Sequence, residues 1–176
     1  MVKIYKFIAY TLFFIVMSVL FLPKENLFFF LEKELVQKQI YISKEVLKEE
    51  AFGLEIKDMM LSYEGIDIVK VNKTEIETFL FYNTVFMQGG ELSPLLSHYW
   101  PRKIESCRVV YSVTDPFVVK AVAKGDFGVI HAWYDIKTTI LKVSLKASTL
   151  MLKKYQKSLR YFKRAKNGEY SYEKSL

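Results

Sequence analysis

The residues that could do chemistry are few and far apart in the sequence. Cys107 is the only cysteine, and His98 and His131 are the only histidines. A thiol beside an imidazole could act as a nucleophile, whereas two histidines need further ligands to hold zinc. His131 and Asp135 lie in a strand-like segment, and four residues of strand separate them by about 13 Å. The sequence therefore predicts no catalytic dyad and no metal site, and we interpret Cys107 as a small buried hydrophobic residue.

Phosphate-binding loops are also absent from the sequence. Gly89-Gly90 and Gly125-x-x-Gly128 lack the Lys-Ser/Thr pair and the following helix that a P-loop needs. A single cysteine excludes an intramolecular disulfide. We therefore predict a protein that is not an enzyme, with no catalytic residues and no cofactor.

The positive charge is concentrated in the last forty residues. The chain carries 26 Lys and Arg against 19 Asp and Glu, and residues 137–176 hold 11 of the basic but only 2 of the acidic side chains. Such a tail predicts an anionic neighbour, which could be phospholipid headgroups, nucleic acid or an acidic protein. Because Lys outnumbers Arg there, any binding to nucleic acid would be non-specific and sensitive to salt.

An uncharged segment of sixteen residues, Phe7–Leu22, follows Lys3 and Lys6. As a helix it would be about 24 Å long, and snorkelling of Lys6 and Lys24 would extend it across the bilayer core. The alternative is a cleaved signal peptide, but the segment ends without the small residues that a signal peptidase needs. We therefore predict a permanent transmembrane anchor, in which the following residues face lipid: Phe7, Ile8, Leu12, Phe13, Phe14, Ile15, Val19 and Leu22.

Topology follows from the lysines that precede the anchor. Positive charge on the N-terminal side favours a cytoplasmic N-terminus. We therefore predict a single-pass protein of the bacterial inner membrane, with its C-terminal domain in the periplasm.

An amphipathic helix is predicted directly after the anchor, over residues 24–39. Leu27, Phe28, Leu31 and Leu35 share one side of it. Two positions remain open for this helix, one at the bilayer interface and one over an end of a sheet.

The middle of the chain is predicted to form β-strands. Short segments rich in β-branched and aromatic residues alternate with turn residues such as Glu64-Gly65, Gln88-Gly89-Gly90 and Asp115-Pro116. Their spacing is typical of antiparallel meanders, and alternating polarity, as in Ile140–Lys146, indicates one buried face. The predicted strands are 40–42, 54–63, 66–72, 74–83, 108–114, 118–123, 127–135 and 138–145.

A basic amphipathic helix is predicted to end the chain, from the N-cap Ser148 to Lys166, with Gly168 as its terminator. Its apolar stripe would comprise Leu152, Tyr155, Leu159 and Phe162. The helix could bind an anionic surface or pack on the sheet with a solvated basic face. The candidate contacts to an anionic surface are Lys153, Lys154, Lys157, Arg160, Lys163 and Arg164.

The order of these features resembles the type II secretion system protein N family and, more distantly, the AsmA-type envelope proteins. The segments that carry the resemblance are Phe21-Leu22-Pro23, the helix from Leu27 to Leu35, residues 52–61 leading into Glu64-Gly65, residues 124–128, and Asn167-Gly168-Glu169-Tyr170. The resemblance implies an N-terminal inner-membrane anchor, an elongated periplasmic β-structure and an accessory envelope component that has no catalytic residues.

Together these patterns predict a mainly β fold, an antiparallel sheet with an N-terminal transmembrane helix and flanking amphipathic helices. The sequence leaves open whether the sheet is flat, curved or elongated. The predicted divisions are an anchor at 1–23, a juxtamembrane helix at 24–39, a periplasmic β domain at 40–147, and a basic helix and tail at 148–176.

Two functions are compatible with an anchored sheet. As a structural component of an envelope or type II-like secretion assembly, it would dock other subunits through a strand edge or a helix, and the partner could be a second copy of the chain. As a lipid or glycolipid binding or transfer module, it would hold acyl chains in an apolar β trough. No specific nucleic-acid partner is predicted for either function.

Overall fold

The computed structural model describes residues 2–79, 81–165 and 168–175, and the side chains from Ile4 onward. The helices are α1 (Val2–Leu20), α2 (Lys24–Gln37), α3 (Thr149–Lys154) and α4 (Gln156–Leu159), with a 3-10 turn at Pro94–Leu96. The strands are β1 (Ile40–Ser43), β2 (Val46–Glu50), β3 (Gly53–Tyr63), β4 (Ile66–Thr78), β5 (Tyr82–Leu92), β6 (Lys103–Ser112), β7 (Val118–Gly125), β8 (Gly128–Asp135), β9 (Ile140–Ala147), β10 (Lys163–Arg164) and β11 (Tyr170–Ser175).

In the described part of the chain, all eleven strands belong to one antiparallel sheet. From β3 to β9 each strand pairs with the next along the chain, so this part is a simple meander. At one edge of the sheet, β1 and β2 pair with different parts of β3, on the side away from β4. At the other edge, β11 lies between β9 and β10. The prediction of a mainly β fold with an antiparallel sheet is confirmed.

The connections gather at two ends of the sheet, because consecutive strands alternate in direction. One end carries the β2–β3, β4–β5, β6–β7 and β8–β9 connections, whose described residues are 51–52, 79 and 81, 113–117 and 136–139. Helix α2 starts at this end, where the Glu25 N–H donates to Glu49 Oε1 at 2.9 Å. It finishes at the other end, where the Glu64 N–H donates to the Gln39 carbonyl at 3.0 Å. Since α1 immediately precedes α2, we call the first end the α1 end.

The sheet has one apolar and one polar face. Directly paired residues of neighbouring strands point to the same side, so the register defines rows that cross the sheet. One row consists of Ile56, Thr74, Met87, Cys107, Ala123, Ile130, Leu145 and Tyr170. The row beside it on the other side consists of Glu55, Glu75, Phe86, Arg108, Val122, His131, Ser144 and Ser171. We call these the inner and the outer face.

Helices cover the inner face at two separate places. Phe28 of α2 is buried against Leu54, Ile56, Met59 and Val71, which belong to β3 and β4. The second cluster consists of buried residues from the β7–β8 turn, β9, α3, α4 and the bend between the two helices, namely Phe127, Leu145, Met151, Tyr155 and Leu159. The predicted helix at 24–39 is confirmed as Lys24–Gln37, and it runs along the edge of the sheet over β3 and β4.

The long strands β3 and β5 each contain one residue with a positive φ angle, which shifts the alternation of side chains between the two faces. In β3, Ile56 and Met59 belong to the same buried cluster although they are three residues apart. Asp58 between them has φ 53°, and in β5 Gly89 has φ 65°. A strict alternation would turn Met59 outward. The predicted turn at Gln88-Gly89-Gly90 is therefore wrong: these residues lie inside β5, and a Cβ on Gly89 would come within 2.7 Å of the Asn72 amide.

Several predicted strand limits differ from the structure. The segments 66–72 and 74–83 were predicted as two strands, but β4 runs unbroken to Thr78, and β5 begins at Tyr82. The predicted strand 74–83 includes Leu80, which lies outside the described residues. Strands β2, β10 and β11, and residues 84–92 of β5, have no counterpart among the predicted strands. Val46–Glu50 is mostly charged, so its composition gives no strand signal.

The predicted C-terminal helix is wrong beyond its first turns. Ser148 does cap α3, since its Oγ accepts the Met151 N–H at 3.1 Å, but the helix breaks at Tyr155, whose ring is buried in the second cluster. Helix α4 ends at Leu159, and the chain continues as strands. The predicted terminator Gly168 lies between β10 and β11, and Lys166 lies outside the described residues.

Candidate functional site

Helix α1 presents its apolar side chains to the surroundings rather than to the sheet. Phe7, Ile8, Leu12, Phe13 and Phe14 are each more than half exposed. The remaining predicted anchor residues are half-buried or, in the case of Leu22, about one third exposed, and these are Ile15, Val19 and Leu22. A soluble protein rarely exposes so large an apolar patch without a partner.

Two hydroxyl groups of α1 form hydrogen bonds within the helix itself. The hydroxyls of Thr11 and Ser18 donate to the carbonyls of Phe7 and Phe14, four residues earlier. At its end, the Lys24 amine donates to the Leu20 and Leu22 carbonyls, which lack partners along the helix. This internal pairing is compatible with a surrounding that offers no hydrogen bonds.

Among the described residues, no single helix combines the length and the apolar composition needed to cross a membrane. The segments Ile4–Leu20 and Lys24–Gln37 meet the criterion only as a pair, with a 60° bend at the break between them. The transmembrane anchor therefore stays a prediction.

A part of the inner face near the α1 end lies between the two helix-covered places. Its residues belong to two rows of paired residues that cross the sheet from β4 toward β9. One row begins at Ile76 and the other begins at Thr78. All of them are half-buried, and none belongs to either buried cluster. We call this area the open patch; it comprises Asn83, Val85, Val109, Tyr111, Val119, Ala121, Ala132, Tyr134, Leu141 and Val143.

The open patch is aliphatic toward the middle of the strands and mixed in polarity toward the α1 end. Val85, Val109 and Val143 belong to the row nearer the middle of the strands. In the row nearer the α1 end, Val119 and Leu141 alternate with Tyr111 and Tyr134. The same row contains Asn83, whose Oδ1 is buried and has no hydrogen-bond partner among the described residues. A buried carbonyl without a donor is costly.

A cavity adjoins the open patch beside α2. It is lined by α2 residues from Lys24 to Leu31 and by Gly53, Leu54, Ile76 and Thr78 of the sheet, and it has a volume of about 110 Å³. Leu27 and Leu31, which line it, are about half exposed. The apolar surface therefore extends from α2 onto the sheet.

The outer face carries ion pairs instead. The Glu55 carboxylate lies 2.8 Å from the Lys73 amine and 3.2 Å from the Lys57 amine. Hydrogen bonds from Lys73 and then Lys57 hold the pKa of Glu55 below its ordinary value, and Glu55 and Glu75 raise the pKa of Lys73. Ion-paired side chains therefore line the outer face at β3 and β4.

The predicted anionic-surface contacts lie at the opposite end of the sheet from α1. Lys153, Lys154 and Lys157 follow the end of β9, and β9 is eight residues or about 26 Å long. All six side chains are exposed, and in the part of the chain that the structure describes no carboxylate pairs with them; the other three are Arg160, Lys163 and Arg164. Their role as contacts to an anionic surface stays a prediction.

The potential chemical groups are dispersed over the fold. Cys107 is half-buried on the inner face, and burial raises the pKa of its thiol. His131 is exposed on the outer face, where its ring stacks on Trp133 at 6.0 Å, and His98 is exposed in the β5–β6 connection. Asp135 accepts the N–H groups of Thr138 and Lys137, which hold its pKa below the ordinary value. No group of three or more His, Cys, Asp or Glu in the described ranges is placed to hold a metal.

Sequence reasoning did not locate the open patch. Alternating polarity in β9 identified Val143 and Leu145 as inward residues, and both lie on the inner face. Only the tertiary structure distinguishes them, because α3 and α4 cover Leu145 and leave Val143 half-buried.

Comparisons with protein families, with curated proteins and with solved structures find no match to this chain. The resemblance to the type II secretion system protein N family and to AsmA-type envelope proteins stays a prediction.

Proposed function

We propose that this chain is a membrane-tethered, non-catalytic module of the bacterial envelope that binds lipid acyl chains on its open patch. The observation that carries the proposal is the apolar inner face, which continues past the helices that cover it and reaches the α1 end. Helix α1 would hold the sheet in the periplasm beside the inner membrane.

The chemistry of the open patch suits an acyl chain. Val85, Val109 and Val143 offer apolar contact, and each square ångström that a lipid removes from water contributes about 25 cal/mol. The row at the α1 end, where the hydroxyl-bearing side chains Tyr111 and Tyr134 lie, would be near the ester and headgroup region. A bound lipid would thus complete a face that the chain itself leaves half covered.

Neighbouring valines on β6 provide a matched pair of variants. Val109 lies on the inner face opposite Val85, whereas Val110 lies on the outer face opposite Thr84. Both side chains are half-buried. A carboxylate at position 109 would have to be desolvated beneath an acyl chain, which is unfavourable, whereas one at position 110 would lie beside Lys120, its partner on β7.

Native mass spectrometry of the full chain, released from mild detergent, tests the proposal. We expect bound phospholipid or glycolipid on the unmodified chain and on Val110→Asp, and loss of that lipid on Val109→Asp. A lipid-free unmodified chain, or equal lipid on both variants, would contradict the proposal.

A second candidate function is subunit docking in an envelope or type II-like secretion assembly. It is favoured by the edge strand β11, because β10 pairs only with Tyr170 and Ser171 and leaves residues 172–175 unpaired on that side among the described residues. Glu173 and Lys174 on this short edge oppose uncontrolled pairing. Recovery of envelope or secretion subunits from crosslinked membranes at native expression would support docking, whereas recovery of this protein alone would count against it.

A further inference from the structure

The connections at the α1 end carry exposed apolar side chains. Each of the four contributes at least one, and we call this set the hairpin fringe: Phe52, Phe79, Phe81, Val113, Phe117 and Ile136. Every member is at least 39% exposed, and Phe81 reaches 67%. Turns usually carry polar residues, so apolar side chains at four successive turn regions need an explanation.

The fringe includes aromatic contacts that hold rings at the surface. Phe52 and Phe79 stack with ring centroids 5.3 Å apart, which joins the β2–β3 and β4–β5 connections. The Lys137 amine lies 4.4 Å above the Phe117 ring and joins the β6–β7 and β8–β9 connections. An aromatic ring with a lysine amine beside it suits the boundary between acyl chains and anionic headgroups.

Position in the fold identifies the surface that would cover the fringe. Helix α1 ends and α2 begins at the same end of the sheet, as the hydrogen bond from the Glu25 N–H to Glu49 and the cavity that Lys24 and Thr78 both line indicate. A bilayer that holds α1 would therefore lie next to the fringe. At the opposite end, charged side chains such as Glu64, Arg102 and Asp126 are exposed in the connections, and the exposed apolar side chains Leu95 and Tyr99 lie together in a single connection, the one between β5 and β6.

From this juxtaposition we infer that the hairpin fringe is a second membrane contact, which inserts into the interface of the bilayer that holds α1. This contact would bring the open patch close to the lipids, because the strands that carry the patch end in the connections that carry the fringe. The inference rests on the proposed membrane tether, and it adds a surface that the tether alone does not require.

Site-directed spin labelling of the full chain tests this inference in vesicles of phosphatidylethanolamine and phosphatidylglycerol. In a Cys107→Ala background, one nitroxide is placed by Phe81→Cys or Phe117→Cys in the fringe. Leu95→Cys is the matched control, because Leu95 is apolar, is 66% exposed against 67% for Phe81, and lies in the β5–β6 connection at the opposite end. A fourth label, by Phe13→Cys, reports on α1.

The measured quantity is the collision rate of each nitroxide with dissolved oxygen, which enters the bilayer, and with a nickel chelate, which stays in water. We expect the labels at 81 and 117 to lose access to the chelate on vesicles, and the label at 95 to keep it. Equal chelate access at 81, 117 and 95 would overturn the inference.

The label at position 13 distinguishes this failure from failure of the proposed function. If position 13 lies in the bilayer while positions 81 and 117 remain in water, the tether stands and the fringe contact is wrong. If position 13 is accessible to the chelate, the tether on which both proposals rest is wrong.

Discussion

Replacing Leu145 by alanine should destabilise the fold far more than the same change at Val143. Leu145 is completely buried among Met151, Tyr155 and Leu159. The change removes three carbon atoms, and the lost transfer free energy together with the residual cavity gives a cost of about 3 kcal/mol. For a domain of this size the melting temperature should fall by about 6–12 °C.

Val143→Ala is the matched control, because Val143 lies on the same strand and the same face but in the open patch. It loses two methyl groups that are already half exposed, so the free energy of unfolding should fall by about 1 kcal/mol and the melting temperature by about 2–4 °C. Both values can be measured by circular dichroism on delipidated full chain in detergent. Equal losses at the two positions would show that the open patch is covered in the folded protein, and would refute the reasoning.

Three further predictions concern charge, backbone and topology. Lys73 holds the pKa of Glu55 below its ordinary value of 4.5, so the charged carboxylate stabilises the fold above that pH, and this stabilisation is lost as the pH falls through the folded pKa. Glu55→Gln should therefore reduce the dependence of the melting temperature on pH in the acid range. An unchanged dependence would contradict this. Gly128 has φ 109°, and a Cβ there would collide with a carbonyl of β9. Gly128→Ala should therefore lower the free energy of unfolding in denaturant by at least about 2 kcal/mol, whereas Gly65→Ala, where a Cβ would meet no neighbour, should lower it by about 1 kcal/mol. Similar losses at the two positions would be inconsistent with a collision at Gly128. Alkaline phosphatase fused after Leu176 should be active, and fluorescence of a cytoplasm-only reporter at that position would indicate the reverse topology.

The sequence was sufficient for the features that depend on local patterns. Alternation of Leu141, Val143 and Leu145 with lysines and a serine is enough to predict a half-buried strand, because strand periodicity fixes which residues share a face. The helix at 24–39 likewise follows from apolar residues at helical spacing. Both features were predicted close to their observed limits.

The features that the sequence did not reveal depend on contacts between distant residues. The helix break at Tyr155 depends on a core built with Phe127, and the Ser158 hydroxyl donates to the Tyr99 carbonyl across 59 residues. The spacing of Leu152 suggested a place in the apolar stripe, but the next residue toward the N-terminus, Met151, is the one that is buried. The open patch also depends on contacts between distant residues, because its limits are set by the parts of the inner face that the helices cover.

Photo-crosslinking from the two adjacent valines of β6 tests the central claim most directly. A diazirine amino acid at position 109 would point from the inner face, and one at position 110 from the outer face of the same strand. On illumination of intact membranes, the account predicts a lipid adduct at position 109 and none at position 110. Absence of lipid at position 109, or equal adducts at both positions, would contradict it.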